Sequence, residues 1–274
     1  KRPEAGASPG DEVPPEDKSP FLFKKAQCPI CKFRSEQRRF KLKIFAEKNI
    51  EIDKHVKIYA WIDKDFQKYH PPLYYFWHCP NCFFTESFQD FEEPGKPIWS
   101  TFRLLKDEFT NKFQEDQKVE KLISWLSKGI DFDTMNYTQA VRLHLLAIFF
   151  QMMHAEEKDY DTLKVGRYYL RTGWLLREMK ETKSKELGTV KSILIEVKKL
   201  WQDVPMSEED AMKKALHWLE LAYVRHPGIK NPVAEVDMLM WMAGINMLMG
   251  DENKGLEGLN QVLQRGQSTN QKID

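Results

Sequence analysis

The chain has 274 residues, 30% of them charged, with a formal net charge of +1. That length suits one large domain or two modest ones, and the near balance of charge argues against a general nucleic-acid binder, which carries a strong basic excess. The longest apolar run, LHLLAIFFQMM from Leu143, is too short to span a bilayer.

Residues 1–20 are rich in proline and acid and nearly free of large apolar side chains, which predicts a flexible leader. No signal peptide is visible. Cysteine usage points to a reducing, cytoplasmic compartment, the alternative being an extracytoplasmic protein that has lost an N-terminal signal.

All four cysteines fall in two Cys-Pro-x-Cys devices, CPICKF from Cys28 and CPNCFF from Cys79. A tight Cys-x-x-Cys turn presents two soft ligands from one backbone knuckle, and two knuckles complete a tetrahedral shell. Cys28, Cys31, Cys79 and Cys82 are therefore expected to hold a structural zinc. The rival readings are thiol exchange and two disulfides, but the βαβ context of a thioredoxin-like site is missing. Four thiolates leave no open position for water, which argues against a catalytic metal, and they make His78, beside Cys79, unnecessary as a substitute ligand. A glycine usually follows the second cysteine of a knuckle; here Lys32 and Phe83 stand there.

Between the knuckles apolar residues alternate: Phe40, Leu42 and Ile44; then Val56, Ile58, Ala60 and Ile62; then Leu73, Tyr75 and Trp77. Period two predicts half-buried strands. The expectation is a three-stranded zinc ribbon over 21–97, too small to stand without metal. Asp63 and Asp65 are two residues apart, as in a divalent-ion pair or, more often, in a turn cap.

Beyond about Ile98 the period becomes helical, predicting a helical domain over 98–266 and a flexible tail over 267–274. Gly129 ends a first helix, and Asp133 or Thr134 caps a second that runs to about His154. Further helices span about 160–181 and 186–202. Ser207 caps the next, with Asp210 three residues on, close to a capping box. Pro227 and Gly228 stop it. Asn231 then caps a helix with Pro232 at its first position, which ends at Gly250, and Asp251 caps the last. Short loops imply antiparallel hairpins. The final pair, with Ala243 and Gly255 where two helices would cross, resembles a tetratricopeptide repeat; an ordinary bundle is the alternative. The fold class expected is α+β, mainly α: a small zinc-ribbon-like sheet followed by helical hairpins.

The two knuckles, the run WIDKDFQKYHPPLYYFWHCPNCFF from Trp61 and YYLRTGWLLREMKE from Tyr168 together resemble the bacterial family known only as domain of unknown function 2225. Asp63, Asp65, Tyr69, Pro72, Tyr74, Tyr75, Tyr169, Leu170, Arg171, Trp174 and Arg177 carry the resemblance, which extends from about Lys24 to Leu263. It implies a paired-cysteine ribbon followed by helices similar to tetratricopeptide repeats, and it implies no activity. The departures are the missing knuckle glycines and the Thr172–Gly173 pair.

No phosphate loop, dinucleotide fingerprint, nucleophile elbow or His-Glu-x-x-His is present. His144, His154, His217 and His226 have spacings that suit no shared ligand, so no enzyme is expected. Residues 24–48 are strongly basic. Cations near a four-thiolate zinc, which carries a net negative charge, account for part of this excess. Interleaved Phe33, Phe40, Phe45, Tyr59 and Trp61 raise a second reading, base stacking on nucleic acid. Arg167, Arg171, Trp174 and Arg177 share one helix face. That face is either a salt-bridge seam with a neighbouring element or a groove that grips a partner's carboxylates, extended by Trp241 and Asn246. The functional expectation is a non-enzymatic scaffold that docks another protein or peptide, with a nucleic-acid-binding ribbon as the alternative.

Overall fold

The computed structural model describes residues 18–91, 107, 109, 111–113, 115–153, 161–225 and 232–270. Residues 1–17 of the expected leader, Trp99, His154, His226, Pro227, Gly228, Asn231 and the last four residues of the tail lie outside the described residues.

The described chain is mainly helical, with small antiparallel sheets. The strands are β1 (Phe21–Gln27), β2 (Arg34–Phe40), β3 (Phe45–Ile50), β4 (Val56–Trp61), β5 (Phe76–His78) and β6 (Thr85–Ser87). Among the described residues they pair as three separate ribbons, β1–β2, β3–β4 and β5–β6, rather than as the one three-stranded sheet expected. Two local features explain the difference. Residues 71–74 form a 3-10 turn, because Pro71 and Pro72 fix the backbone and remove two N–H donors. The alternation at Phe40–Ile44 spans a strand end and a turn in which Lys43 is left-handed (φ 59°).

Each knuckle is the tip of a hairpin, so the cysteines sit at the ends of the strands they pin. The two tips share one hydrogen-bond pattern. Lys32 N donates to Cys28 O (3.0 Å) and Cys28 N to Phe33 O (2.9 Å); Phe83 N donates to Cys79 O (2.8 Å) and Cys79 N to Phe84 O (2.8 Å). Lys32 (φ 64°) and Phe83 (φ 67°) occupy the left-handed position where glycine is easiest. The geometry is kept without the glycine, at some strain.

The helices are α1 (Gln117–Ser127), α2 (Tyr137–Gln151), α3 (Thr162–Glu181), α4 (Leu187–Lys198), α5 (Glu208–Arg225), α6 (Pro232–Leu248) and α7 (Glu252–Asn270). Several of their starts follow capping chemistry. The cap of α2 is Asn136, three residues past the expected Asp133, and its side chain accepts from Gln139 N (3.0 Å). Ser207 Oγ accepts from Asp210 N (3.1 Å), while the Asp210 carboxylate accepts from Met206 N (2.8 Å), close to a capping box. Asp251 Oδ1 accepts from Lys254 N (3.2 Å). Gly129 and Gly250 both have positive φ.

Helix α3 packs chiefly on α5 rather than on its sequence neighbour α4. Gly166 lies against Leu219 and Gly173 against Met212, so the contacts run in opposite directions and the helices are antiparallel. Added Cβ atoms would come within 2.9 Å and 2.7 Å of those side chains; the two glycines set the close approach. Helices α6 and α7 form the other tight pair. Gly258 faces Ala243, and Gly255 faces Met247 and Ala243.

One continuous core joins ribbons and helices. Phe84 meets Phe150 of α2 (ring centroids 5.3 Å), and Phe76 meets Tyr168 of α3 (4.9 Å). Phe84 and Phe91 are fully buried, while Phe83 and Phe88 are partly buried against the same core.

Candidate metal centre and buried charge seam

The two hairpin tips bring Cys28, Cys31, Cys79 and Cys82 together, with all four sulfurs within 4.8 Å of one another. Cys28 and Cys82 Sγ are 3.6 Å apart, and Cys31 and Cys79 Sγ 3.5 Å. A disulfide needs about 2.05 Å, and the four cysteines are free. A tetrahedron of sulfurs about 2.3 Å from a central ion has edges of roughly 3.8 Å, so the cluster is compatible with a metal site. Its thiols cannot all ionise unaided. Hydrogen bonding between Cys28 and Cys79 draws Cys79 down and pushes Cys28 up. Hydrogen bonding to Cys28 and Cys79, with burial, also pushes Cys82 up.

The hairpins are tied behind the cluster as well. Gln37 Nε2 donates to His78 O (2.8 Å), His78 N donates back to Gln37 Oε1 (3.3 Å), and Trp77 Nε1 donates to Arg38 O (2.8 Å). His78 is not in the cluster; its Nδ1 is 2.8 Å from Thr85 Oγ1, and burial lowers it to about 4. Asp63 caps the turn that follows it, accepting from Asp65 N (2.9 Å).

The tip of the β3–β4 hairpin, residues 51–55, enters the helical half. Asp53, wholly buried, accepts through Oδ2 from Arg177 Nη2 (2.9 Å) and Trp174 Nε1 (2.9 Å). Glu51 Oε2 accepts from Arg177 Nη1 (2.7 Å), and Glu208 Oε1 from Arg177 Nε (2.8 Å). Arg177 is thus enclosed by three carboxylates. Its neighbour Glu178 holds His55 Nε2 (2.8 Å) and His70 Nε2 (2.6 Å), with the Tyr137 hydroxyl at 3.3 Å. Burial works to raise the Glu178 carboxyl, but the bonds from His55 and His70 hold it at about 2. Burial likewise works to lower His55, and its bonds to Glu178 and Glu51 win, leaving it above its usual value. Such clusters become destabilising when one partner is removed.

The expected α3 face therefore divides. Arg177 and Trp174 are engaged by the hairpin. Arg167 donates to the Tyr75 hydroxyl (3.1 Å) and lies 5.8 Å from the Trp241 ring. The Arg171 guanidinium carbon lies over the Tyr75 ring, 3.5 Å from its centroid. Asn246 donates to Met242 O (3.0 Å) within its own helix. His144, buried against Ala140 O (2.7 Å), is lowered to about 3 by burial. His217 packs beside the Trp218 ring (5.3 Å).

A second buried network was not anticipated. Glu86 of β6, fully buried, accepts from Gln151 Nε2 (2.7 Å), Lys164 Nζ (3.1 Å) and the Tyr168 hydroxyl. Strand β6 reads Thr-Glu-Ser, and nothing in that polar triplet marks Glu86 as buried.

These features define an α+β protein with a four-cysteine cluster and a helical half. A family model described as "Uncharacterized protein conserved in bacteria (DUF2225)" matches residues 21–274, and the chain belongs to that family. No curated protein and no solved structure matches it. Among the described residues no helix is long and apolar enough to cross a membrane.

Proposed function

We propose that this protein is a non-enzymatic, cytoplasmic interaction scaffold. Cys28, Cys31, Cys79 and Cys82 hold a structural zinc, and the helical half is an array similar to tetratricopeptide repeats that docks a partner protein. The zinc reading rests on a closed soft-donor set at two hairpin tips built into the helical core. The non-catalytic reading is supported by the seam, where Asp53, His55, Arg177 and Glu178 are occupied by one another.

One observation carries the docking role. A groove of about 760 Å³ between α3, α4 and α5 is lined by Leu176, Leu194, Met206 and Met212; of its charged residues Glu208 is paired with Arg177 and Glu209 with Lys213, while Lys180 and Lys191 are exposed. An apolar floor with exposed lysines suits a partner segment that carries both apolar anchors and acids. Reversing Lys180→Glu and Lys191→Glu should abolish capture of that partner from a bacterial extract while leaving melting temperature and metal content unchanged. Capture that survives the double reversal defeats this assignment.

A second reading has its own support. Phe23 and Phe33 are more than two-fifths exposed on the first ribbon, among exposed Lys25, Arg34 and Arg39. Stacking platforms between cations suit single-stranded nucleic acid. Affinity for an oligonucleotide that falls steeply with salt would favour it.

A further inference from the structure

We infer that Arg171 is the anchor of a ligand pocket for a small monocarboxylate with a flat apolar body. The pocket has a volume of about 420 Å³ and lies between the β3–β4 ribbon, α3 and α6, within the usual range for small-molecule sites. It is separate from the docking groove, and nothing in its argument depends on partner docking.

The three arginines of the α3 face differ in one respect. Arg177 has three carboxylates and Arg167 has the Tyr75 hydroxyl. Arg171 makes no hydrogen bond or ion pair among the described residues, and its Nε is buried without a partner. Burial lowers its pKa, as expected of a desolvated cation. A buried polar group without a partner is expensive, and a buried charge more so. The seam two turns away shows that the fold places acids opposite arginine where it needs them. At Arg171 it places a cavity.

The geometry suits recognition. The guanidinium is held 3.5 Å above the Tyr75 ring and 5.7 Å from Trp174, so it is oriented before any ligand arrives, which reduces the entropy of binding. Trp174, Trp241, Tyr59 and Val56 supply apolar and aromatic walls. The charge count selects the anion. Of the other charged groups that line the pocket, Glu178 is paired with His55 and His70 and Lys54 with Asp237, which leaves Arg171 as the cation without an acid and Glu47 as an acid beside it. A phosphate dianion would bring two charges to one guanidinium, with Glu47 nearby to repel it; a monocarboxylate is matched one to one.

The test uses the full-length chain and two probes of one shape, benzoate and its neutral isostere benzamide, followed by tryptophan fluorescence and thermal unfolding. Benzoate at millimolar concentration should alter the fluorescence and raise the melting temperature. Benzamide should bind at least about tenfold more weakly, since it lacks the charge-assisted pair. Arg171→Met should lose the benzoate response yet melt no lower than the parent. Trp241→Leu, which keeps the cation, should weaken benzoate with the melting temperature preserved. Equal binding of benzoate and benzamide overturns the proposal, as does no binding of either, or undiminished benzoate binding by Arg171→Met. No partner protein enters these titrations, so their failure and the failure of partner capture are told apart.

Discussion

Arg177 and Asp53 meet at 2.9 Å, 124 residues apart in sequence, with Asp53 wholly buried. The contact fastens the tip of the β3–β4 hairpin to α3, and Trp174 Nε1 closes on the same carboxylate oxygen. Asp53→Ala would leave a buried guanidinium and an indole N–H without that acceptor. It should destabilise the protein by about 3–5 kcal/mol, the range for breaking a buried charge pair from one side. Urea unfolding measures this, and the double variant Asp53→Ala with Arg177→Met should recover part of the loss. A single variant as stable as the parent would show that the seam carries no weight.

The same tip passes Gly244 of α6 so closely that an added Cβ would lie 2.6 Å from Asp53 N, Asp53 Cα and Ile52 O. These are backbone atoms and cannot swing aside. Gly244→Ala should therefore cost at least about 2 kcal/mol through overpacking, although alanine is the better helix former. Gly188 in α4 has nothing within 4 Å of its added Cβ, and Gly188→Ala should gain about 0.5–1 kcal/mol. Opposite signs in paired thermal melts are the expected result; equal signs would mean that the hairpin tip does not sit against α6.

Much of this architecture was legible beforehand because it rests on local chemistry. The ends at Gly129 and Gly250 and the caps at Ser207 and Asp251 need only a few neighbouring residues, and so does the pairing of cysteines within each knuckle. The ribbons were misread where alternation ran through turns, at Lys43 and at Pro71–Pro72. Period two marks side chains that point in opposite directions, and it does not show which backbone is hydrogen-bonded to which. The division of the α3 face was illegible for a different reason. Arg167, Arg171 and Arg177 look alike by spacing, and what separates them comes from distant segments: Asp53 and Glu51 at a hairpin tip, Tyr75 after a 3-10 turn. Residues 51–55 combine two acids and a histidine at a turn, the one local hint of a hairpin tip that answers an arginine face.

Metal content offers a direct check on the cysteine cluster. The purified protein should carry one zinc, and Cys79→Ser should lose it, because the remaining thiols no longer complete a tetrahedral shell. Cys28 and Cys79 are also part of the common core, so the loss should lower the melting temperature of the whole protein. Far-ultraviolet circular dichroism should still show the helices, which have their own packing in the α3–α5 and α6–α7 pairs. Protein purified without metal, or with the cysteines joined as disulfides, would refute the zinc assignment.

The pairing of Glu178 with His55 makes stability depend on pH in a definite sense. Glu178 is lowered from its ordinary 4.5 to about 2. Its contribution is therefore complete above about pH 4.5 and is lost as pH falls through about 2. His55 is raised above its ordinary 6.5. Its contribution is complete below about pH 6.5 and is lost as pH rises through the higher folded value. Both are fully present only between those limits, so the seam should stabilise most in mildly acidic solution and weaken on either side. Glu178→Gln removes the larger of the two carboxylate contributions that raise His55, Glu51 supplying the other, and keeps the shape of the side chain. Urea midpoints measured across this range should show the parent's advantage over Glu178→Gln peaking in mild acid and shrinking toward alkaline pH. An advantage that stays constant with pH would mean that His55 is not held protonated by Glu178, and the two would then be joined by a neutral hydrogen bond alone.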